Sequence, residues 1–133
     1  MSRQRYLSTI ALFAVVVPFA TRAADPQGRF LEINVAGEAS CETYVTARDE
    51  GRRGGHLREN IYLGWVSGFL TAYNIFRPET YNIAGTTDTP SLMLRLEIYC
   101  KANPRDSFLD AVAWTLTKLY PNRAKQAPRR EGE

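Results

Sequence analysis

The chain has 133 residues, of which 23% are charged and 44% hydrophobic, and its formal net charge is +3 at pH 7. Three of its seventeen basic residues, Arg3, Arg5 and Arg22, precede position 24, so the rest of the chain carries fourteen basic and fourteen acidic side chains. Because residues 24–133 have no net charge, they lack the positive charge that would attract nucleic acids or anionic membranes. The net charge of the whole chain would have suggested such binding.

The first 23 residues have the pattern of an export signal. Arg3 and Arg5 are followed by an apolar run from Leu7 to Ala20, and Thr21-Arg22-Ala23 ends in small residues at the positions that signal peptidase requires. We therefore predict a signal peptide over residues 1–23 and a periplasmic or secreted protein that starts at Ala24. A retained anchor is the alternative, although the run is shorter than the ~20 residues that span a bilayer.

Cys41 and Cys100 are the only cysteines of the chain. An even number of cysteines in an oxidising compartment predicts a disulfide bond between them. A redox or metal-binding pair is the alternative, but the sequence has no Cys-x-x-Cys and a single histidine, His56. We expect no metal and no cofactor.

The remaining sequence predicts one all-α domain, a four-helix bundle stapled by the disulfide. Residues 24–38 form a short strand or extended arm, because Leu31, Ile33 and Val35 alternate with polar residues and Gly37 follows. Residues 39–120 form the helical domain, and the polar residues 121–133 form a disordered tail.

Capping residues predict where the four helices lie. Ser40 caps the first helix, which extends through Arg48 and is followed by a Gly/Arg-rich break. The second runs from about Leu57 to Phe76. The third starts at Asp88 or Thr89 with Pro90 in its first turn, and the fourth has Asn103 as its cap and ends near Leu119.

The second helix is apolar on nearly every side. An aromatic stripe recurs at steps of three and four residues: Tyr62, Trp65, Phe69, Tyr73 and Phe76. Gly64, Gly68 and Ala72 fall four apart on a neighbouring face and predict close packing of another backbone. Such a helix belongs in the middle of a bundle or in an oligomer interface. The stripe is interpreted as core, with a ligand or client-binding surface as the functional alternative.

Three segments together resemble the exported HdeA/HdeB acid-stress chaperones: Cys41 near the start of the first helix, the Gly64-to-Tyr73 helix, and Tyr99-Cys100-Lys101-Ala102-Asn103-Pro104. The resemblance covers about Ser40 to Leu119 and implies a helical periplasmic protein, dimeric near neutral pH and client-binding as an unfolded monomer in acid. This chain departs from the family in its arm and its longer aromatic helix. Immunity proteins that neutralise type VI amidase effectors have a similar helical outline but usually carry more cysteines.

No catalytic set is recognisable in the sequence. It contains no Gly-x-Ser-x-Gly, no His-Glu-x-x-His and no glycine-rich phosphate loop. Asp106 and Asp110 are one turn apart, which suits either a carboxylate pair or compensation of a helix dipole. Four basic residues lie close together in the sequence and indicate either a binding site for an acidic partner or a solvated loop: Arg52, Arg53, His56 and Arg58. We therefore expect a non-enzymatic protein that binds another protein, as a chaperone or as an immunity or inhibitor protein, with a homodimer left open.

Overall fold

A computed structural model describes residues 35–129. The predicted signal peptide, most of the predicted arm and residues 130–133 of the predicted tail lie outside the described residues. The described part contains five α-helices and no β-strand: α1 Val35–Glu38, α2 Cys41–Arg52, α3 His56–Phe76, α4 Thr89–Ala102 and α5 Phe108–Leu119. A short 3-10 helix, Tyr120–Asn122, follows α5. The all-α prediction is confirmed, and α2 to α5 are the four predicted helices.

The Cys41–Cys100 disulfide is present and joins the start of α2 to the end of α4. Both half-cystines are fully buried, together with Tyr44, Leu96 and Phe108. The Tyr44 hydroxyl crosses this core and donates a hydrogen bond to the carbonyl of Met93 over 2.9 Å. The disulfide therefore lies in the hydrophobic core rather than on its edge.

The central helix of the bundle is α2, not the aromatic α3. Helix α2 packs against α3, α4 and α5, whereas only Tyr62 and Val66 are buried among the 21 residues of α3. Of the two positions predicted for α3, the middle of the bundle is wrong, and the oligomer interface stays a prediction. Periodicity could not settle this, because a helix that is apolar all round gives no preferred face.

Helix α2 begins as predicted and ends later. The Ser40 hydroxyl caps it by accepting a hydrogen bond from the Thr43 N–H over 3.3 Å, but the helix continues through Arg52. Gly51 is buried in the last turn, where a Cβ atom would collide with the Glu59 side chain of α3. The glycine thus serves as a contact point for α3, and the chain reverses over residues 53–55 instead.

Helix α4 starts where the sequence indicates, since the Asp88 side chain accepts a hydrogen bond from the Ser91 N–H over 2.8 Å. Helix α5 starts four residues later than predicted. Asn103 donates from both its backbone and its side chain to the carbonyl of Tyr99, so it ends α4. Ser107 and Asp110 form the capping box of α5.

The segment between α4 and α5 is held by α2, which explains the late start of α5. The Cys41 N–H donates to the carbonyl of Asp106 over 2.8 Å, and the Glu42 N–H donates to the carbonyl of Pro104 over 3.1 Å. These carbonyls satisfy the first amide groups of α2, which have no partner inside their own helix. A local sequence pattern contains no information about this long-range pairing.

Both ends of the described chain differ from the prediction. Val35 to Glu38, assigned to the extended arm, form the single helical turn α1, which contacts α3 and α5. Ala36 is buried in that contact, and tertiary packing of this kind overrides a short alternating pattern. In the predicted tail, Ala124 exchanges backbone hydrogen bonds with Asn82, and the Arg123 guanidinium lies 3.9 Å from the centre of the Tyr120 ring. Residues 121–124 therefore belong to the folded domain.

We predict that Cys41→Ala and Cys100→Ala each lower the free energy of unfolding by about 4 kcal/mol, because the disulfide closes a long loop in the unfolded chain. The double variant should lose no more than the less stable single variant, since each replacement breaks the same bond. Urea unfolding at pH 7 measures all three proteins. Strictly additive losses, or wild-type stability in a fully reduced protein, would contradict this account.

Candidate functional site

An ion cluster links α2, α3 and α4 at the edge of the core. Its centre is Glu97 of α4, whose side chain is only 3% exposed. Arg52 of α2 donates to both carboxylate oxygens of Glu97, over 2.9 and 3.0 Å, and Arg48 donates over 3.2 Å. Lys101, one turn further along α4, lies 2.7 Å from the same carboxylate. A single buried acid is thus bound by three cations.

Further charges surround this centre. Arg48 also pairs with Glu59 of α3, and Arg52 with Asp49 in its own helix. The His56 ring lies 3.4 Å from Glu59. Arg48 and Arg52, the two α2 cations bound to Glu97, therefore each pair with a second carboxylate as well. These ion pairs connect α2, α3 and α4.

The cluster stabilises the charged form of Glu97. Its hydrogen bonds, above all those from Arg52, lower the pKa of Glu97 from 4.5 to about 2, although burial acts in the opposite direction. A difference of this size corresponds to roughly 3 kcal/mol of folding free energy at neutral pH. This free energy is an upper limit, because Arg52 and Lys101 are about half exposed and solvent weakens their attraction to the Glu97 carboxylate.

The predicted basic cluster is largely neutralised in the structure. Arg52 is bound to Glu97 and Asp49, Arg58 lies 2.9 Å from Glu50, and His56 lies beside Glu59. Arg53 is exposed and has no ion-pair partner among residues 35–129. The four residues are close in sequence, but they do not form one continuous positive surface for an acidic partner.

The aromatic stripe lies mainly toward the core. Tyr62 is buried, Trp65, Phe69 and Tyr73 pack against the core from its edge, and Phe76 is 81% exposed. The Tyr62 ring contacts Tyr44 of α2 and Phe108 of α5 at centroid distances of 5.1 and 4.8 Å, and the Trp65 ring contacts Phe108 at 5.7 Å. Four of the five stripe residues thus hold α3 onto the bundle, and no open aromatic groove is formed by them.

The glycines of α3 do not approach another backbone within residues 35–129. Gly64 and Gly68 are exposed, and none of the described atoms lies within 4 Å of a Cβ atom built on either residue. Ala72 is exposed as well. The prediction of close helix packing at these three positions is therefore wrong for the single chain. Small residues on a helix mark a face without bulk, but they do not indicate whether another element lies beside it.

The same face of α3 is apolar and open. Leu57 is 79% exposed, Ile61 56% and Ile75 69%. At 3.6 residues per turn these three share one side of the helix with Gly64, Gly68 and Ala72. We refer to these six residues as the α3 strip. Residues 60–76 contain no charged side chain, whereas the opposite side of α3 carries the rings that pack on α2 and α5.

Asp106 and Asp110 do not form a carboxylate pair, because each takes part in a different set of hydrogen bonds. The Asp106 carboxylate accepts a hydrogen bond from the Tyr99 hydroxyl over 2.7 Å and, with burial, raises the pKa of Tyr99 to about 12. Asp110 accepts from the Ser107 N–H and hydroxyl in the capping box. Neither carboxylate is arranged to act with the other. Among residues 35–129 no group of three or more candidate metal ligands is assembled.

The buried carboxylate of Glu97 is absent from the residues predicted from the sequence. The signal was present, because Glu97 follows Leu96 and precedes Cys100 by three positions, and so falls within the buried side of the predicted third helix. Arg48 also lies on the predicted inner side of the first helix, with Cys41 and Tyr44. Opposite charges on two facing apolar surfaces indicate a buried ion pair.

Comparisons with known proteins identify no relative of this chain. No protein-family model matches the sequence. Neither the curated proteins nor the solved structures contain a match to it. Among residues 35–129, none of the helices has the length and hydropathy needed to cross a bilayer.

We predict that Glu97→Gln destabilises the fold by about 2–3 kcal/mol at pH 7, because it removes the charge that Arg48, Arg52 and Lys101 surround. The low pKa of Glu97 adds stability above about pH 4.5, and this contribution falls away as the pH drops toward 2. The difference between wild type and variant should shrink over that range. Urea unfolding at successive pH values measures it.

Glu42→Gln is the matched control, because Glu42 is an exposed glutamate of α2 that forms no ion pair within residues 35–129. Its stability should stay within about 0.5 kcal/mol of wild type. A Glu97→Gln protein with a pH-independent deficit would show that the carboxylate contributes through packing alone.

Proposed function

We propose that this chain is an exported, protein-binding acid-stress chaperone of the HdeA-like kind, active in the periplasm. The observation that carries the proposal is the buried Glu97 cluster, which ties α2, α3 and α4 together by a charge that acid removes. The basic N-terminal segment, the apolar run after it and the Cys41–Cys100 disulfide support an exported location.

Acid weakens this fold in two ways. Protonation of Glu97 leaves Arg48 and Arg52 partly buried without their common anion, which is more costly than the loss of an exposed pair. At the same time the fourteen acidic residues after position 23 lose their charge, so fourteen basic side chains repel one another. Both effects act over the pH range below 4.5.

Opening of the bundle exposes the surface that a chaperone requires. The α3 rings that pack against the core become available as α2 loosens: Tyr62, Trp65, Phe69 and Tyr73. Aromatic side chains provide large apolar area for contact with an unfolding client. The disulfide does not titrate in acid, so it keeps α2 linked to α4 and limits expansion of the open chain.

An immunity or inhibitor protein is the second candidate function. It is favoured by apolar residues that the folded protein already presents on α4, where Leu94 is 51% exposed and Ile98 59% exposed. A protein that blocks a secreted amidase acts while folded and needs such a surface at neutral pH. Ile98→Arg should then abolish stoichiometric inhibition of the cognate amidase, whereas Ala113→Arg on exposed α5 surface should not.

The chaperone proposal predicts that the wild-type protein suppresses aggregation of an acid-labile client at pH 2–3 and binds an apolar-surface dye in the same range. Glu97→Gln should start to bind dye and protect the client at a higher pH than wild type, because its cluster is already weakened. Glu42→Gln should follow wild type. Light scattering of the client and dye fluorescence give the two readouts.

A protein that remains folded at pH 2–3 and gives no protection would contradict the chaperone function. If it also inhibits an amidase at neutral pH through Ile98, the immunity function is the correct one. Protection that does not shift with Glu97→Gln would leave a chaperone whose opening is governed by overall charge rather than by the cluster.

A further inference from the structure

We propose that the exposed side of α4 and α5 binds an acidic, apolar segment of another protein while the domain is folded. Six residues form this side, and we call them the α4–α5 surface: Leu94, Arg95, Ile98, Tyr99, Trp114 and Lys118. The inference requires only the folded domain, so it goes beyond the chaperone that opens in acid. For the second candidate function, it names the chemistry of the partner that the α4 residues would bind.

Helical spacing and one ring contact make the α4–α5 surface continuous. Leu94 and Ile98 lie one turn apart on α4, and Arg95 and Tyr99 form the next row of the same helix. The Tyr99 ring contacts the Trp114 ring of α5 at a centroid distance of 5.2 Å. The surface therefore continues from α4 onto α5 through these two rings.

The apolar part of the α4–α5 surface is open to solvent. Leu94 and Ile98 are more than half exposed, and Trp114 is 42% exposed. Tryptophan, tyrosine and arginine are the side chains that most often contribute strongly to binding at protein interfaces. Exposed apolar side chains that adjoin on two helices therefore suit a partner that brings apolar groups of its own.

Unpaired positive charges surround the two rings. Three residues of α4, α5 and the turn between them are exposed cations without an ion-pair partner among residues 35–129: Arg95, Arg105 and Lys118. Arg95 precedes Tyr99 by four residues, and Lys118 follows Trp114 by four. The Lys118 ammonium lies 5.3 Å from the centre of the Trp114 ring. A partner that covers the rings therefore brings its own side chains close to these cations.

The acidic residues of the same region are already engaged elsewhere. Glu97 is buried in its ion cluster, and Asp106 accepts a hydrogen bond from the Tyr99 hydroxyl. Asp88 and Asp110, the two exposed carboxylates within residues 88–119, each cap the start of a helix. Residues 24–133 as a whole are neutral, so the unpaired cations beside the rings are a local feature. Complementary charge of this kind selects acidic partners.

Peptide binding measures this recognition, because Trp114 is itself part of the α4–α5 surface. Trp65 and Trp114 are the only tryptophans of the chain, so the full chain with Trp65→Phe reports on Trp114 alone. The probe is a tryptophan-free peptide in which leucines recur at steps of three and four residues and glutamates fill the other positions. In the control peptide, lysine replaces every glutamate. At pH 7 the glutamate peptide should shift Trp114 emission to shorter wavelength, and added salt should weaken its binding. The lysine peptide should leave the emission unchanged.

Charge reversal separates recognition from folding. Arg95→Glu combined with Lys118→Glu should raise the dissociation constant of the glutamate peptide at least about tenfold and leave the helical spectrum unchanged. The same double variant should gain affinity for the lysine peptide, which a misfolded protein would not do. Arg53→Glu is the matched control and should bind like wild type, because Arg53 is an exposed, unpaired cation at the end of α2, outside the α4–α5 surface.

Four results would overturn the proposal. They are an unchanged Trp114 emission with the glutamate peptide, equal binding of both peptides, equal weakening by Arg53→Glu, and a shift that vesicles of anionic phospholipid produce but the glutamate peptide does not. The last result would assign the surface to a membrane. Client protection by wild type at pH 2–3 is measured separately, so failure of the chaperone function and failure of this surface give different results.

Discussion

The disulfide between Cys41 and Cys100 is the constraint on which the rest of the fold depends. It joins residues 59 positions apart and fixes the first residue of α2 beside the last turn of α4. The first amide groups of α2 are then satisfied by carbonyls of residues 104 and 106. This places Ser107, and therefore the start of α5, next to the same core. A small domain with a modest core gains much of its stability from such a link, because the unfolded chain loses conformational freedom.

The covalent bond and the Glu97 cluster connect the same two helices but respond differently to acid. The disulfide persists at any pH that leaves it oxidised, whereas the attraction within the cluster depends on one ionised carboxylate. A buried ion pair is weak support for stability in general, since hydrophobic residues of similar volume often do as well. Its advantage here is its pH dependence, because an apolar contact between α2 and α4 would not weaken in acid. In the proposed chaperone, the disulfide therefore keeps α2 linked to α4 when acid weakens the cluster.

Local chemistry explains which parts of the structure could be predicted from the sequence. Ser40 and Asp88 cap the helices that they were expected to cap, because each side chain satisfies an amide three residues further along. The disulfide followed from cysteine number and compartment. The start of α5 could not be predicted, because Asn103 and Ser107 are both suitable caps and the choice is made by α2, far away in sequence. The position of Glu97 on the buried side of α4 could be predicted, but its partners could not, because Arg48 and Arg52 come from another helix and only the folded chain brings them within hydrogen-bond distance.

The apolar surface of α3 is larger than the area that the other described helices cover. A 21-residue helix with apolar side chains on nearly every side requires burial on two opposite faces. The described domain covers only one of them, where Tyr62 contacts Tyr44 of α2 and Phe108 of α5, and none of the helices within residues 35–129 covers the other. Lengthening the core or replacing Leu57, Ile61 and Ile75 by charged residues would remove the exposed area. The sequence does neither, and it places glycines at the centre of the open face, at a cost of ~1 kcal/mol each in helix propensity. Such a cost is offset only where another backbone comes close, and within residues 35–129 none does. The open face of α3 therefore keeps a cost in helix propensity that no contact within residues 35–129 offsets.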